Sequence, residues 1–316
     1  MAEPRALVIG GAGFIGSHLV EKLVARGPVT VLDDFSVGRR ELLEGARGSG
    51  RLAIVEGDAR DLDTVCQVTS DHALVVHLAA NPEARWGLEN TRLDLELGTI
   101  TTYNALEAAR RAGAKRFLFA SSGTVYGDVQ ERCSEADLGS LPISLYGASK
   151  LASEAMISAF SECFGLDATI MRFGNVVGPR GTHGAALDFL RKLLRSPTEL
   201  EVLGDGTQAK PYLHVDDCVA GMLFTLERQS SRFDVWNLAP PDTTTVSEIA
   251  ALAIRHSPYP TATIRYTGGD RGWAGDVPKS LMSPEKLGAL GFRVAHTSYQ
   301  AVERAVIALA KEVFPS

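Results

Sequence analysis

The sequence predicts an α/β protein, a Rossmann-type doubly wound parallel sheet followed by a smaller mixed α/β lobe. Three observations carry that prediction. Short aliphatic runs closed by Gly, Asp, Ser or Asn alternate with longer helical patterns through the first half. A glycine triplet separates the first run from the first helical pattern. Beyond about residue 174 this rhythm gives way to Gly- and Pro-rich loops, which marks a different lobe.

In chain order, RALVIGG, VTVLDD, LAIVEGD, LVVHLAA, KRFLFASS and DATIMRFGN read as six strands, with helices expected at Phe14–Arg26, Thr99–Ala112 and Ser149–Phe164. Alternation of this kind demands crossover connections and a mostly parallel sheet covered on both faces. Residues 1–174 form the expected dinucleotide-binding domain, rejoined by about 212–240, where YLHVDDCVAGMLFTLE reads as strand then helix. Residues 175–211 and 241–316 form the smaller lobe, with a helix expected at Ala185–Leu194.

At 316 residues the chain is about twice the usual length of one domain, which suits two lobes. Lys and Arg number 32 against 38 Asp and Glu, a net charge of −6 without basic runs, so nucleic acid and anionic membranes are poor partners. Cys66, Cys133, Cys163 and Cys218 are scattered, with no CxxC pair and no metal spacing; they are expected as small buried hydrophobes in a reducing compartment. The N-terminus does not read as a signal peptide, and no apolar run approaches the roughly 18 residues of a spanning helix. The expectation is a cytoplasmic protein without a bound metal.

Three constellations carry chemistry. In Gly10-Gly11-Ala12-Gly13-Phe14-Ile15-Gly16, Gly10 permits a tight turn, Gly13 lets backbone approach a pyrophosphate, and Gly16 allows close helix–strand packing. A plain strand-to-helix turn would also use glycine, but Asp33 closes the second strand 17 residues after Gly16. An acid there accepts a hydrogen bond from a ribose 2′-hydroxyl and repels a 2′-phosphate, favouring NAD over NADP. Asp58, closing the third strand, is open to an adenine contact or to simple solvation. The second constellation is Tyr146 and Lys150, four apart and hence on one helix face. An ammonium beside a phenol is expected to lower its pKa, so Tyr146 reads as a base. Ser121-Ser122-Gly123-Thr124 ends the fifth strand, where ligands bind in such sheets. The third is a set of late polar residues in which Lys210 and Arg271 offer charge to a diphosphate.

Gly10–Gly16, Asp33, LAANPE (78–83), SSGTVYG (121–127), Tyr146 with Lys150, FGNVVGPR (173–180), LGDGTQ (203–208) and GWAGDVPKSLMSPEKLGALGF (272–292) together resemble the UDP-glucose 4-epimerase family of the extended short-chain dehydrogenase/reductases. The match runs over nearly the whole chain. The resemblance implies an epimerase that inverts C4 of a nucleotide-activated hexose through a 4-keto sugar, with tightly bound NAD, in a homodimer. It implies catalytic roles for Tyr146, Lys150, Ser122 and Thr124. NAD contacts are implied for Gly10, Gly13, Phe14, Ile15, Gly16, Asp33, Asp34, Phe35, Ser36, Gly38, Asp58, Ala59, Leu78, Ala79 and Ala80, with Tyr146 and Lys150. Substrate contacts are implied for Pro82, Ser122, Thr124, Asn175, His183, Gly184, Ala185, Val202, Leu203, Gly204, Gln208, Lys210, Tyr212, Arg271 and Asp276.

Related 4,6-dehydratases carry Asp-Glu where this chain has Gly123-Thr124, and related decarboxylases carry Glu at the second position. Threonine does no general acid work at neutral pH, so both reactions are disfavoured here. They stand as the alternatives, ahead of an NAD sensor without turnover. Four departures from the family pattern bear on the site. Gly98 stands where an Asn contacting the cofactor is usual, with Thr99 as a neighbour able to compensate. Gly174 replaces a bulkier aromatic and is expected to leave room. Lys210 replaces an Arg, and Ser280 replaces a Tyr that restricts some members to unsubstituted hexoses.

Overall fold

A computed structural model describes residues 5–129, 131–137, 140–229 and 231–315; residues 1–4, where the expectation about a leader begins, lie outside them. The described chain divides into two compact units.

The first unit comprises residues 1–122, 145–172 and 222–236. Its elements are β1 (Ala6–Ile9), α1 (Phe14–Leu23), β2 (Val29–Asp33), α2 (Glu44–Arg47), β3 (Leu52–Glu56), α3 (Leu62–Thr69), β4 (Leu74–His77), α4 (Trp86–Glu89), a π-helical stretch (Leu95–Ile100), α5 (Thr101–Ala112), β5 (Arg116–Ser122), α6 (Leu145–Phe164) and β6 (Asp167–Phe173). All six strands expected from the sequence form; five of the runs are buried along their centres, while β3, at the edge of the sheet, is apolar and only half-buried. With β11 (Phe233–Leu238) they build a seven-stranded sheet in the order β11-β6-β5-β4-β1-β2-β3, in which the β3–β2, β2–β1, β1–β4 and β4–β5 pairs run parallel. The order reverses direction between β1 and β4, and open α/β sheets bind ligands at that switch point. The expected helix at Thr99–Ala112 divides instead into the π-helical stretch and α5.

The second unit comprises residues 123–144, 173–221 and 237–316. It carries β7 (Asn175–Val177), α7 (Ala185–Arg195), β8 (Glu199–Val202), β9 (Ala209–Lys210) and β10 (Tyr212–His214), then α8 (Val215–Arg228) and β11 (Phe233–Leu238), both of which continue into or out of the first unit. β12 (Thr244–Thr245), α9 (Val246–Arg255), β13 (Thr263–Tyr266), α10 (Glu285–Ala289) and α11 (Ser298–Val313) complete it. α7, α9 and α11 bury Leu190, Leu193, Ile249, Leu252, Val302 and Val306 in one apolar core. The run Tyr212–His214 pairs with β7 in this unit, so the strand that joins the large sheet is β11, some twenty residues later than the sequence suggested.

The four cysteines are all free thiols, and only Cys133 and Cys218 are buried. Cys163, in the last turn of α6, is exposed, and Cys66 is half-buried, so the expectation of four buried hydrophobes holds for two. No helix among the described residues is long and apolar enough to cross a membrane, and no described cluster of His, Cys, Asp and Glu suits a metal ion.

Candidate active site

In the first unit the glycine turn is built as its chemistry requires. Gly10 has φ +81°, and a Cβ there would stand 2.6 Å from Ala79 N, so only glycine lets the segment Leu78–Ala80 close over the turn. At Gly16 a Cβ would meet Gly10 O at 2.4 Å, which fixes the close packing of α1 on β1. Gly13 differs. Its missing Cβ would meet nothing nearer than Gly10 O at 3.4 Å, so protein packing does not explain the glycine. Gly13 is also the N-cap of α1, with no side-chain cap and no acid in the first turn. The uncapped N–H groups and helix dipole leave an anion cradle at that point.

Asp33, at the end of β2, is buried and accepts from Ala12 N at 2.8 Å and Phe35 N at 3.0 Å. It therefore ties the glycine turn to the loop Asp34–Gly38, and Gly38 makes room for it, since a Cβ there would lie 2.6 Å from Asp33 Oδ1. Burial raises its pKa above the usual carboxylate range despite those two bonds. Asp34 forms a local turn by accepting from Ser36 N at 2.9 Å and Ser36 Oγ at 2.6 Å. Phe35 takes φ +56° beneath the Arg40 guanidinium, 4.0 Å above its ring. Asp58 is paired with Arg60, whose hydrogen bonds hold its pKa down. The same loop is held from α5 by Asn104, which donates to Ala59 O at 3.0 Å and Arg60 O at 2.8 Å.

Tyr146 and Lys150 both lie on α6, which starts at Leu145, four residues before the expected boundary. Lys150 is 2% exposed and donates to Ala120 O at 2.7 Å. Its Nζ stands 4.7 Å from the Phe119 ring centre and 5.6 Å from that of Tyr146. Burial pulls its pKa down to about 8, against the opposing charges of Glu154 and Asp94. The Tyr146 phenol is pushed up to about 12 by desolvation and by the Asp94 charge, while its hydrogen bond with Ser122 works the other way. The sequence led us to expect a lowered phenol; among these residues burial sets the opposite direction. His77, fully buried beside Phe119, is held neutral by burial, its pKa down to about 3.

Spacing did not reveal the buried charges beneath this pair. Glu154 accepts from Ser121 Oγ at 2.5 Å and from Arg172 Nε at 3.0 Å and Nη2 at 2.7 Å. Its one available signal was its position four residues after Lys150, on the same helix face. Asp94, 2% exposed, accepts from Asn81 Nδ2 at 3.0 Å. Gly98 is explained by packing: a Cβ there would lie 2.5 Å from Ser149 Oγ and 2.9 Å from Ser149 Cβ. Ser149 Oγ in turn donates to Tyr146 O at 2.8 Å. Pro82 follows the buried Asn81 and is half-buried.

In the second unit, Thr124 lies in the short helical turn Gly123–Tyr126. The space over Gly123 is filled: a Cβ there would stand 2.6 Å from Met282 Sδ, and Met282 is 1% exposed. Gly174 leaves no room either, because the Pro211 carbonyl oxygen sits 2.5 Å from where its Cβ would be, with Ala239 Cβ at 3.2 Å. Lys210 Nζ is 2.5 Å from Asp276 Oδ1, and Arg271 Nη2 is 2.6 Å from Asp128 Oδ2. Both candidate diphosphate cations therefore already hold a carboxylate. Leu203 and Gly204 approach the 271–276 loop, where Gly204 (φ +81°) packs against the Gln208 carboxamide. Gln208 is 2% exposed, and neither its oxygen nor its nitrogen has a partner among the described residues, a cost that a polar ligand would relieve. Val202 and Tyr212 belong to the apolar core, and burial raises the Tyr212 phenol. Asn175 is exposed beside Pro211, to which its N–H donates at 2.9 Å. His183 and Gly184 are exposed ahead of α7, which Ala185 opens.

The model of the NAD dependent epimerase/dehydratase family matches residues 6–239. A UDP-glucose 4-epimerase of Mycolicibacterium smegmatis is 35% identical over 222 residues, covering 68% of this chain and 71% of that protein. A UDP-N-acetyl-alpha-D-glucosaminuronate decarboxylase of Bacillus cytotoxicus is 32% identical, covering 78% of each chain. Among solved structures, a UDP-galactose 4-epimerase superposes with a TM-score of 0.88 at 36% identity, covering 98% of this chain and 100% of its own. A UDP-glucose 4-epimerase of Thermus thermophilus in complex with NAD superposes with a TM-score of 0.84 at 31% identity, covering 96% and 98%.

Proposed function

The chain belongs to the NAD-dependent epimerase/dehydratase family and uses NAD; from that premise we propose that it inverts C4 of a nucleotide-activated hexose, of the UDP-glucose/UDP-galactose type, through a transient 4-keto sugar. One observation carries this choice within the family. The end of β5 offers Gly123-Thr124, and the space over Gly123 is taken by the Met282 thioether, so no acid stands there to protonate a leaving hydroxyl.

Bound NAD supplies an acceptor for the C4 hydride and a donor for its return. The chain's own residues move the proton. Tyr146 takes it from the sugar 4-hydroxyl and returns it. Ser122, already bonded to the phenol, shares it, with Thr124 as a second hydroxyl for the 4-oxygen. Lys150 holds positive charge beside the phenol and hydrogen-bonds the nicotinamide ribose. Gly13 and the uncapped start of α1 receive the pyrophosphate, and Asp33 reads the ribose. Asn175, His183–Ala185, Leu203–Gly204, Gln208, Lys210, Arg271 and Asp276 hold the nucleotide. Ser280 is small enough to admit an N-acetyl or other enlarged sugar. Leu95, Ile100, Tyr103 and Phe164, each at least 40% exposed, give the first unit an apolar helical face suited to a homodimer. The free thiols suit a reducing compartment such as the cytoplasm.

The test is a panel of UDP-glucose, UDP-galactose and their N-acetyl forms followed by NMR. Interconversion of 4-epimers without net NADH, abolished by Tyr146→Phe, is the expected result. A keto-deoxy or decarboxylated product would overturn the reading. A preference above about a hundredfold in kcat/KM for the unsubstituted sugar, worth about 2.7 kcal/mol, would overturn the role of Ser280.

A further inference from the structure

We propose that Phe119 is a positioning residue for Lys150, the face of its ring standing in for the carboxylate that the buried ammonium lacks. That role rests on the reading of Lys150 as the cation beside the reacting phenol. Lys150 is 2% exposed, and among the described residues it forms no ion pair. Its hydrogen bond goes to a neutral acceptor, Ala120 O, at 2.7 Å. An ammonium taken out of water is costly unless other groups replace its shell.

The acids around it are engaged elsewhere. Glu154, one helical turn along α6, accepts from Arg172 and Ser121. Asp94, just before the π-helical stretch, accepts from Asn81. Both favour the charged lysine from a distance, Glu154 more than Asp94, and burial outweighs them. What lies directly against the ammonium is aromatic. Nζ stands over the Phe119 ring, 4.7 Å from its centre, and 5.6 Å from the centre of Tyr146. Both distances fall within the roughly 6 Å at which the electron-rich face of a ring attracts a cation. Tyr146 has the proton to move, so Phe119 is the ring left to hold the charge.

The fold delivers that ring. Side chains alternate along β5, so Phe117 and Phe119 share one face, and both enter the apolar core that Ile157 of α6 also joins. Phe119 immediately precedes Ala120, so one step of β5 brings the ring and the accepting carbonyl to the same ammonium. On β4, His77 is in register with Phe119, its ring 5.8 Å away and tilted by 29°. Burial keeps that imidazole neutral, so no second cation competes for the ring. Held by a carbonyl and a ring face, the ammonium keeps donors for a ligand hydroxyl.

The experiment titrates Lys150 by NMR of its ε-methylene group in NAD-loaded protein with isotope-labelled lysine, with Lys150→Met as the blank and no substrate. Phenylalanines carrying one, two or three ring fluorines are installed at position 119, which drains the ring face stepwise and nearly preserves its shape. The midpoint should fall with each fluorine, by about one pH unit for the trifluoro ring, a tenfold change in the ionisation constant. The trifluoro ring at Phe117, which has no cation over it among the described residues, should leave the midpoint at that of the parent. A contact that merely fills space predicts no trend at position 119. A midpoint indifferent to fluorination there, or one that moves equally from position 117, would overturn the proposal. The titration needs no turnover, so a wrong reaction assignment would leave its outcome intact. A falling midpoint with an unmoved kcat/KM profile would count against the catalytic reading of Lys150 and leave its contact with Phe119 standing.

Discussion

Replacing Glu154 by Gln tests the charge layer beneath the catalytic helix. Both partners are nearly solvent-free, at 6% side-chain exposure for Glu154 and 2% for Arg172, and the guanidinium spans both carboxylate oxygens at 3.0 and 2.7 Å. Gln keeps the shape, but it removes the charge and turns an amide N–H₂ toward a cation. Breaking a buried pair from one side costs about 3–5 kcal/mol because the remaining ion is uncompensated. Set against a total stability of about 5–15 kcal/mol, that is a large fraction. At roughly 2–4 °C per kcal/mol, the melting temperature should fall by about 6–20 °C. Urea denaturation measures the free energy directly. The companion variant Glu154→Met with Arg172→Met replaces both ions by apolar chains and should recover most of the loss, since buried pairs are near neutral against hydrophobic isosteres. Glu154 also raises the Lys150 pKa, so both variants should lower it from about 8 even where stability returns. A cost below about 1 kcal/mol for the single change, or no recovery in the double one, would refute the assignment.

Gly98→Ala should destabilise by about 1–3 kcal/mol, and Ser149→Gly should relieve at least about 0.5 kcal/mol of that in a double-mutant cycle read by urea denaturation. Gly13→Ala should weaken NAD binding at least tenfold by calorimetry while altering stability by no more than about 1 kcal/mol, whereas Gly16→Ala should destabilise by about 1–3 kcal/mol because it meets backbone. The Lys150 pKa is depressed in the folded chain to about 8 from 10.5. The unfolded chain therefore binds more protons between those values, and the Lys150 contribution to stability should rise as pH climbs through that window. The stability difference between the parent and Lys150→Met, followed from pH 7 to 10, checks the sign.

The frame of the fold was legible because its signals are local. Six apolar runs and their closing residues gave six strands, and the glycine turn, Asp33 and the Tyr146–Lys150 spacing marked the candidate site. What escaped depends on approach between distant segments. No period announces that Pro211 covers Gly174, that Met282 covers Gly123, or that Ser149 forbids a side chain at Gly98. Asp94 was silent because the helix there departs from 3.6-residue spacing, which shifts its register against α5. The direction at Tyr146 escaped because it follows from burial, which no spacing displays.

The Lys210–Asp276 and Arg271–Asp128 couples have a consequence for ligand capture. Two couples of zero net charge project little field into solution, so a diphosphate arriving there would trade places with carboxylates rather than fall into a positive well. Association with that unit would then proceed at an ordinary diffusional pace, nearly indifferent to added salt. Discrimination among anions would come from how well each one replaces a carboxylate's geometry, and simple phosphate in the surrounding medium would compete poorly.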